Sequence, residues 1–388
     1  MKKNTIFKFT LITYLSVLLI SCGEFVGFDD LGDPDTGNIK KIRLYFSADG
    51  IEKLYNSVVD DYYYTHCLYS ENRSGAVDCR IKIRGDSSRA YPKKSYTIKF
   101  EGTDGEIKYA LIASFKDPSS IRNRTAMYAY SLAGLPSPES EGAALFINDS
   151  YIGYYTKMEL YSEEKLKKLY GNCELYKCKF DSVGNDFPLR SFSEKEFPDN
   201  NDFSSLDRLV SFAKNMSGDE WNSFVADNFH IEETARYLFI HSYLAVTDTT
   251  QKNFNILYNG KYLILPWDNE ASLGRKYTGA EYDTSLYKYE GDSLLNRRLL
   301  QAGSPVRARY IELLEAAVLA DGIPTPDPGS YKVRLKAVAS DYAAEIDRAV
   351  YYDSNRFHSY GEFISETSAG GFIDQFLDNR SSDIPLLD

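Results

Sequence analysis

The order of the hydrophobic patterns along the chain is the feature that most constrains its fold. In the first half, apolar and alternating runs of strand length predict β-strands over residues 41–47, 79–85, 94–100, 142–148 and 151–160. Apolar side chains at helical spacing predict a short helix over 51–61 and a longer one over 118–133. The first half therefore predicts an antiparallel sheet accompanied by one main helix.

Helical periodicity dominates the second half. Amphipathic patterns predict helices over residues 204–216, 219–228, 231–246, 304–320 and 329–350. Strands first and helices later predict the α+β class, here with two lobes. We expect a sheet-rich N-terminal lobe over residues 39–160, a mainly helical C-terminal lobe over 161–380, a tail over 381–388, and a ligand cleft between the lobes.

One β-hairpin interrupts the helical half. The strand-like runs FNILY (254–258) and KYLIL (261–265) flank Asn259-Gly260, the dipeptide most typical of a two-residue type I′ turn. If the pairing continues to the ends of the strands, a turn of that length places Asn253 opposite Pro266.

Acidic side chains bracket this hairpin. Asp268 lies two residues beyond Pro266, so strand alternation would put it on the same side as Asn253, roughly 7 Å away at the backbone. With Glu270, these side chains offer the hard oxygen ligands that Mg²⁺ prefers. Asp248 would lie in the loop just before the first strand. The alternative interpretation is that all four residues satisfy backbone groups or face solvent at loop and strand ends.

The N-terminal segment predicts export. Residues 1–21 combine a basic start with an apolar stretch, which is typical of a secretory signal rather than a membrane span. The run Leu19-Ile20-Ser21-Cys22 resembles a bacterial lipobox, which would make Cys22 the acylated first residue of a lipoprotein and residues 22–38 its flexible tether. An ordinary signal peptide with an incidental cysteine is the alternative. We expect an exported, membrane-anchored lipoprotein at the outer membrane or cell surface.

The composition argues against some classes of partner. The formal net charge of −11 argues against nucleic acid or anionic lipid as a partner of the whole surface. Hydrophobic residues make up 43% of the chain, enough for a sizeable core, but no run after the signal is long enough to span a bilayer. We therefore expect contact with a membrane through the lipid anchor alone.

Four cysteines follow Cys22. Their short separations favour disulfides that join Cys67 to Cys79 and Cys173 to Cys178, although three connectivities are possible. A zinc site is a lesser alternative, because no second pair of Cys or His at matching spacing accompanies the later two cysteines. Free thiols are the remaining alternative.

Several segments together resemble the spore coat protein H (CotH) kinase-like family. They are IKIRGDSSRAYPKKSYTIKF (81–100), FKDPSSIRNRTAMYAYSLAGLPSP (115–138), ALFINDSYIGYYTKMELY (144–161), ELYK (174–177) and DTTQKNFNILYNGKYLILPWDNEASLG (248–274). They span most of the chain after the signal and are more specific together than any one of them alone. With its lipobox, the chain resembles a bacterial lipoprotein member of that family.

The resemblance implies a bilobal, atypical protein-kinase-like fold. It also implies binding of ATP with Mg²⁺ or Mn²⁺ between the lobes, and phosphoryl transfer to a Ser or Thr hydroxyl of a protein. In the family's D-x-x-x-x-N pattern, Asp248 matches the base that orients the hydroxyl and Asn253 the metal-binding amide. Asp268 of PWDNE matches the acid that holds the metal. Glu270 is expected to assist it, or to be a neighbouring surface acid.

The resemblance further implies ATP-binding residues in the first lobe. The loop GDSSR (85–89) lies where the family places a phosphate-facing loop. Lys94 is the predicted phosphate-neutralising lysine and Lys93 its rival, since neighbouring strand positions point to opposite faces. Arg84 is a second candidate cation, and Glu159 is expected near the nucleotide base. The alternative for the three cations is a solvated hairpin edge.

Two observations keep a non-catalytic alternative open. The helix predicted over 118–133 contains no Glu, so the usual lysine partner of eukaryotic kinases is not evident there. An exported chain also leaves the cytoplasmic ATP pool behind. The alternative is a catalytically silent, kinase-shaped envelope lipoprotein that binds a protein or glycan partner.

Overall fold

The structure is a computed structural model that describes residues 33–56, 65–85, 87–102, 105–178, 193–248, 253–276, 278–281, 294–320 and 331–380. The chain divides into two units, Met1–Asp35 and Thr36–Asp388. The described helices and strands all belong to the second unit. The predicted signal peptide, the acylation site Cys22, most of the tether and the C-terminal tail lie outside the described residues.

The strands of the first half form a barrel. They are β1 (Lys40–Tyr45), β2 (Thr65–Glu71), β3 (Val77–Arg84), β4 (Ser95–Gly102), β5 (Gly105–Ile112), β6 (Ser140–Ile147) and β7 (Ser150–Glu159). The barrel is closed, in the order β1-β2-β3-β4-β5-β7-β6. Neighbouring strands are antiparallel except β1 and β6, which run parallel with Ile42 opposite Leu145. The predicted antiparallel sheet is thus a barrel with a parallel seam, and the sequence patterns did not indicate β2 or β5.

Apolar side chains at alternate strand positions fill the interior of this barrel. In β3, Cys79, Ile81 and Ile83 are buried, while the residues between them are more exposed. Tyr96 and Ile98 of β4 join them in one apolar cluster. Because apolar side chains from successive strands pack on one another inside, the barrel has a core of its own.

Two helices belong to the first half: α1 (Ala48–Asn56) and α2 (Arg122–Leu132). The predicted start of the second helix at residue 118 is too early. The Asp117 carboxylate accepts hydrogen bonds from the backbone N–H groups of Ser119 (2.9 Å) and Arg122 (3.0 Å), which forms a turn. Ser120 has a φ of 58°, outside the helical range, so the helix begins only after it.

A second sheet contains the predicted hairpin. Its strands are β8 (Glu174–Cys178), β9 (Ser193–Phe197), β10 (Phe254–Tyr258) and β11 (Tyr262–Pro266). Their order is β11-β10-β8-β9. Tyr258 pairs with Tyr262, so the connection between β10 and β11 has three residues instead of two, and Phe254 rather than Asn253 lies opposite Pro266.

The type I′ prediction was wrong because tertiary contacts hold Asn259. Its side-chain amide donates to the Tyr170 carbonyl oxygen (3.0 Å), and its Oδ1 accepts from the backbone N–H of Lys261 (3.2 Å). Oδ1 also lies 3.0 Å from His230 Nε2. Gly260 has a φ of 98°, but Asn259 does not have the positive φ that a type I′ turn requires at both central residues.

Helices dominate the second half, as predicted. They are α3 (Glu163–Tyr170), α4 (Ser204–Asn215), α5 (Gly218–Asn228), α6 (Ile231–Tyr243), α7 (Leu294–Leu299), α8 (Pro305–Ala320), α9 (Tyr331–Tyr352), α10 (Tyr360–Thr367) and α11 (Phe372–Asn379). α6 ends before the predicted residue 246 because Ala245 has a φ of 48°. A large apolar cluster joins α2, α6, α8 and α9 to β10.

The described chain is therefore α+β, with a strand-rich first part and helices later, which confirms the predicted class. The two largest of its apolar clusters are distinct: one fills the barrel interior, and the other lies among the helices and the second sheet. Within the described residues, no helix combines the length and the apolar character needed to cross a membrane.

The four described cysteines are buried free thiols. Cys67 and Cys79 lie directly opposite each other in β2 and β3, with 2.8 Å between their Sγ atoms. The predicted bridge between Cys173 and Cys178 is wrong. Cys173 immediately precedes β8 and Cys178 ends it, so an extended rise of about 3.3 Å per residue separates them by roughly 16 Å, beyond the reach of a disulfide at about 7 Å.

Candidate functional site

The acidic turn, residues 267–274, follows β11 and carries two of the predicted metal ligands. Its backbone is strained, because Asp268 has a φ of 53° and Leu273 a φ of 51°. Such conformations cost on the order of 1–3 kcal/mol each and persist only where the surroundings hold them. Here the backbone N–H of Leu273 donates to the carbonyl oxygen of Leu244, just after α6, at 2.8 Å.

Trp267 fixes the start of the acidic turn against the barrel. Its ring packs with Ala110, Met127 and Met158, which come from β5, α2 and β7. The guanidinium of Arg84 lies over the same ring, 5.2 Å from its centroid. The predicted ATP-binding cation at the end of β3 is thus next to the turn that carries the predicted metal ligands.

A buried arginine holds the rest of the acidic turn. Arg122, fully buried at the start of α2, donates through Nε to the carbonyl oxygen of Ser272 (3.0 Å) and through Nη2 to that of Leu273 (3.4 Å). The same guanidinium pairs with Asp117 at 2.6 Å and with Glu366 of α10. The sequence patterns did not indicate this network, although Asp117 and Arg122 lie in the DPSSIRNR run of the family resemblance.

Glu270 carries the clearest chemical signal in the turn. Its Oε1 atom is buried and has no hydrogen-bond partner among the described residues. Burial and the nearby carboxylates of Asp117 and Asp268 raise the pKa of Glu270 to about 8, while Ser114 and Lys93 oppose the shift. An unpartnered carboxylate oxygen among other carboxylates is the arrangement that a divalent cation neutralises.

Asn269 lies between the two acids, and the sequence patterns did not single it out. It is 1% exposed, and neither polar atom of its side-chain amide has a partner in the described part of the chain. Its backbone N–H is held by Oδ1 of Asn123 at 3.0 Å. A buried amide without partners costs about 1–3 kcal/mol, so Asn269 is a further candidate for contact with a bound ion or water.

Asp248 and Asn253 meet at the start of the hairpin. Nδ2 of Asn253 donates to the carbonyl oxygen of Asp248 (3.1 Å) and to its Oδ2 (3.2 Å). Because Phe254 pairs with Pro266, Asn253 and Asp268 leave the same end of the hairpin. The common face predicted for these two residues rested on strand alternation, which does not apply, since Asn253 has a φ of 63° and Asp268 is also left-handed.

These donors suit a shared metal rather than a closed structural site. Across the described ranges, no three His, Cys, Asp or Glu side chains form a group that could hold a metal ion. The predicted set instead combines the carboxylates of Asp268 and Glu270 with the amide oxygen of Asn253. Mg²⁺ is commonly bound by one or two carboxylates together with water and substrate phosphates. The residues present therefore fit Mg²⁺ or Mn²⁺ held jointly with a phosphate ligand.

Lys93 is buried and interacts electrostatically with Glu270 of the acidic turn. Its Nζ donates to the carbonyl oxygen of Tyr154 (2.6 Å) and to Oδ2 of Asp353 (2.7 Å). Burial lowers the pKa of Lys93, and the charge of Asp353 opposes that shift. Lys93 is also close enough to Glu270 for the two charges to interact. The sequence patterns did not indicate Asp353, the buried carboxylate that pairs with Lys93.

Lys94 and Glu159 are bonded elsewhere in the protein. Nζ of Lys94 donates to the carbonyl oxygen of Arg89 at 2.6 Å, and partial burial lowers the pKa of Lys94. Glu159 ends β7 opposite Tyr109 of β5, and its carboxylate pairs with Lys165 of α3. The structure therefore places Glu159 at the junction between the barrel and α3.

Comparison with known proteins gives concordant results on the family. A family model described as CotH kinase protein matches residues 81–382. The chain is similar to the inner spore coat protein H of Bacillus subtilis (strain 168), with 26% identity over 260 residues that cover 62% of this chain and 70% of that protein.

Similarity to solved structures is weaker. The proinflammatory kinase CtkA of Helicobacter pylori matches with a TM-score of 0.29 and 15% identity, covering 74% of this chain and 90% of that chain. The open conformation of CtTel1 matches with a TM-score of 0.30 and 11% identity, covering 83% of this chain and 12% of that chain. TM-scores of this size do not show a common fold. Because the family model matches well over half of its residues, the chain belongs to the CotH kinase protein family.

Proposed function

We propose that this chain is an atypical kinase that transfers a phosphoryl group from ATP to a Ser or Thr hydroxyl of a protein, with Mg²⁺ or Mn²⁺ as cofactor. The observation that carries the proposal is the buried carboxylate oxygen of Glu270, which has no hydrogen-bond partner among the described residues. It lies near Asp268, on a turn that the protein holds in a strained conformation. Strongly perturbed carboxylates beside a lysine are typical of functional sites. Membership of the CotH kinase protein family supports the proposal.

Phosphoryl transfer needs positioning and charge neutralisation more than covalent chemistry from the protein. Asp268, Glu270 and Asn253 are the residues that would hold the divalent cation, which would supply neutralisation of the phosphate charge. Asp248, bonded to Asn253, accepts a hydrogen bond from the acceptor hydroxyl and orients it.

The cationic side of the site is assigned to Lys93 and Arg84. The sequence favoured Lys94. Both ammonium groups donate to a backbone carbonyl oxygen, but Lys93 also interacts electrostatically with Glu270. Lys93 is therefore the better candidate to contact the phosphates, with Arg84 as the second cation. Glu159 keeps its proposed place near the nucleotide base, at the end of β7.

In this proposal, residues 39–160 are the N-lobe and residues 161–380 the C-lobe of a kinase-like fold that binds the nucleotide between them. The packing of Trp267 on β5 and β7 supports this arrangement, because it brings the acidic turn of the second half against the barrel of the first.

The proposal includes export and attachment by an acyl chain at Cys22, at the outer membrane or cell surface. A lipid anchor would then be the sole contact with the membrane. The acceptor is accordingly an envelope protein, and the net charge of −11 argues against nucleic acid as a partner of the whole surface.

Transfer of labelled phosphate tests the proposed function. The purified chain is incubated with Mg²⁺, ATP labelled at the γ-phosphate, and an envelope protein extract, and phosphoserine and phosphothreonine are measured. We expect transfer by the wild-type chain and a loss of roughly 10²–10³-fold in Asp268→Ala, as is usual when one preorganised charge is removed from a transition-state site. Glu163→Gln, which removes a surface acid paired with Lys167 on α3, is the matched control and should retain full activity.

Thermal unfolding with ATP and Mg²⁺ separates the alternatives. A bound ligand at 100 times its Kd stabilises the protein by about 2.7 kcal/mol. Stabilisation without transfer would identify the catalytically silent envelope protein. Equal transfer by wild type and Asp268→Ala, or neither stabilisation nor transfer, would contradict the proposal.

A further inference from the structure

Lys93 has a partner that is 260 residues away in the sequence. Its Nζ lies 2.7 Å from Oδ2 of Asp353, and the two side chains are 2% and 0% exposed. The ammonium also lies over the ring of Tyr155, 4.7 Å from the centroid. A buried ion pair of this kind has a large desolvation cost, so its retention suggests a role other than stability.

The position of Asp353 does not suit the helix that precedes it. Asp353 comes directly after α9, where the negative end of the helix dipole disfavours a carboxylate. Its carboxylate is bonded to the barrel instead, because Oδ2 accepts from the backbone N–H of Tyr154 (2.9 Å) and from Lys93. Oδ1 accepts from the backbone N–H of the nearby Asn355 (3.0 Å). The contacts of Asp353 therefore explain its placement better than helix capping does.

Strand β7 has room for the Asp353 carboxylate because it has a glycine at the point of contact. Gly153 has a φ of 138°, and a Cβ at this position would lie 2.5 Å from the Cγ and both oxygens of Asp353. The register of β7 with β6 shifts at the same place, since Leu145 pairs with Gly153 and Phe146 with Tyr151. A side chain at residue 153 would push Asp353 away from the strand.

Further contacts dock the end of α9 along β7. The Tyr151 hydroxyl donates to the carbonyl oxygen of Ala349 at 2.7 Å, and Nδ2 of Asn355 donates to that of Ile152 at 2.6 Å. Asp353 lies between these two contacts in the sequence. These contacts hold the end of α9 on β7, and so hold the Asp353 carboxylate against the barrel.

We infer that Asp353 is the positioning residue for Lys93. It fixes the ammonium against the carbonyl oxygen of Tyr154 in β7, and so makes nucleotide binding depend on the docking of α9, an element of the second half. This inference rests on the proposed function, because the role of Lys93 as a phosphate contact belongs to that proposal.

A double-mutant cycle tests the inference in the full chain. The affinity for MgATP is measured by titration calorimetry in wild type, Lys93→Met, Asp353→Asn and the double variant. We expect each single change to weaken binding by roughly tenfold or more, since it removes one partner of a buried charge pair. The double variant should bind no more than about twofold weaker than Lys93→Met alone, because Asp353 acts through Lys93.

Two further variants separate positioning from a structural role. Gly153→Ala keeps both charges but displaces the carboxylate, and should weaken MgATP binding in the wild-type background but not in Lys93→Met. Glu71→Gln is the control: Glu71 pairs with Lys157 of β7 at 2.8 Å, so it should lower thermal stability without changing MgATP affinity.

The outcomes distinguish the inference from the proposed function. If Asp353→Asn leaves the affinity unchanged, or weakens it equally with and without Lys93, the inference is overturned and the kinase proposal stands. If the wild-type chain binds no MgATP, both are overturned. Should Asp353→Asn fail to fold, Gly153→Ala takes its place in the cycle, and unchanged affinity in that variant overturns the inference.

Discussion

The acidic turn and the Asp248–Asn253 pair lie at the same end of one hairpin, but the protein holds them in different ways. The acidic turn is fastened by Trp267 on the barrel and by the fully buried Arg122 on its other side. Asp248 and Asn253 are half-buried and are joined to each other through one side-chain amide.

This difference indicates where the preorganisation of the site is built. The acidic turn keeps the carboxylates of Asp268 and Glu270 close enough to repel each other. Its backbone has strained φ angles, and one Glu270 oxygen has no hydrogen-bond partner in the described part of the chain. The described contact between Asp248 and Asn253 is made by one half-buried side-chain amide. We infer that affinity for the cation is set mainly by the acidic turn.

Removing Arg122 should have the largest effect. Arg122→Met leaves the buried Asp117 without this paired cation and leaves Glu366 with Arg275 alone, which we expect to lower the free energy of unfolding by about 3–5 kcal/mol. Urea denaturation measures the loss. Asp248→Asn is the comparison variant and should cost well under half as much, because an amide oxygen can still accept the bond from Asn253. Equal losses would show that the two regions are held alike.

Glu270 should make stability depend on pH in the metal-free protein. Its pKa is about 8 in the folded chain against an ordinary value of 4.5, so the folded state binds the extra proton between these values. The contribution of protonated Glu270 to the free energy of unfolding is full below pH 4.5. It is lost as the pH rises toward 8, by up to about 1.4 kcal/mol per pH unit.

Urea denaturation with a chelator at several pH values checks this slope. Glu270→Gln should abolish the loss of stability between pH 5 and pH 8, which would leave the variant more stable than wild type at the upper end. Glu163→Gln should keep the wild-type slope. An unchanged slope in Glu270→Gln would mean that the carboxylate is already ionised at pH 5, against the account of the acidic turn.

Asn253 should show the smallest effect on stability. Asn253→Ala removes the amide that joins it to Asp248, and a net cost of about 0.5–1.5 kcal/mol is expected for such a bond. The shift of the denaturation midpoint relative to Arg122→Met measures the contrast between the two regions directly. A loss as large as that of Arg122→Met would mean that the hairpin start is as rigidly built as the acidic turn.

Local patterns predicted the hairpin but not its turn. Alternation in FNILY and KYLIL is a property of each strand, so the pairing of β10 with β11 could be read from the sequence. The register depended on Asn259, whose side chain is bonded to Tyr170 and lies beside His230 from distant elements. No local signal carries such contacts, and the predicted register was off by one residue.

Asp353, the partner of Lys93, could not be predicted for the same reason: it depends on contacts between distant parts of the chain. The residues flanking the hairpin could be listed from the sequence because they lie within one segment. Asp353 could not, because it is joined to Lys93 by the docking of α9 on β7. The buried network around Arg122 likewise depends on Glu366 of α10, which no motif near the acidic turn indicates.

Binding of Mn²⁺ followed by electron paramagnetic resonance tests whether the acidic turn holds the cation, because it needs neither an acceptor protein nor turnover. We expect one Mn²⁺ per chain in the presence of ATP, with affinity reduced at least about tenfold in Asp268→Asn and in Glu270→Gln and unchanged in Glu163→Gln. Equal Mn²⁺ affinity in all four proteins would contradict the claim that the acidic turn holds the cation.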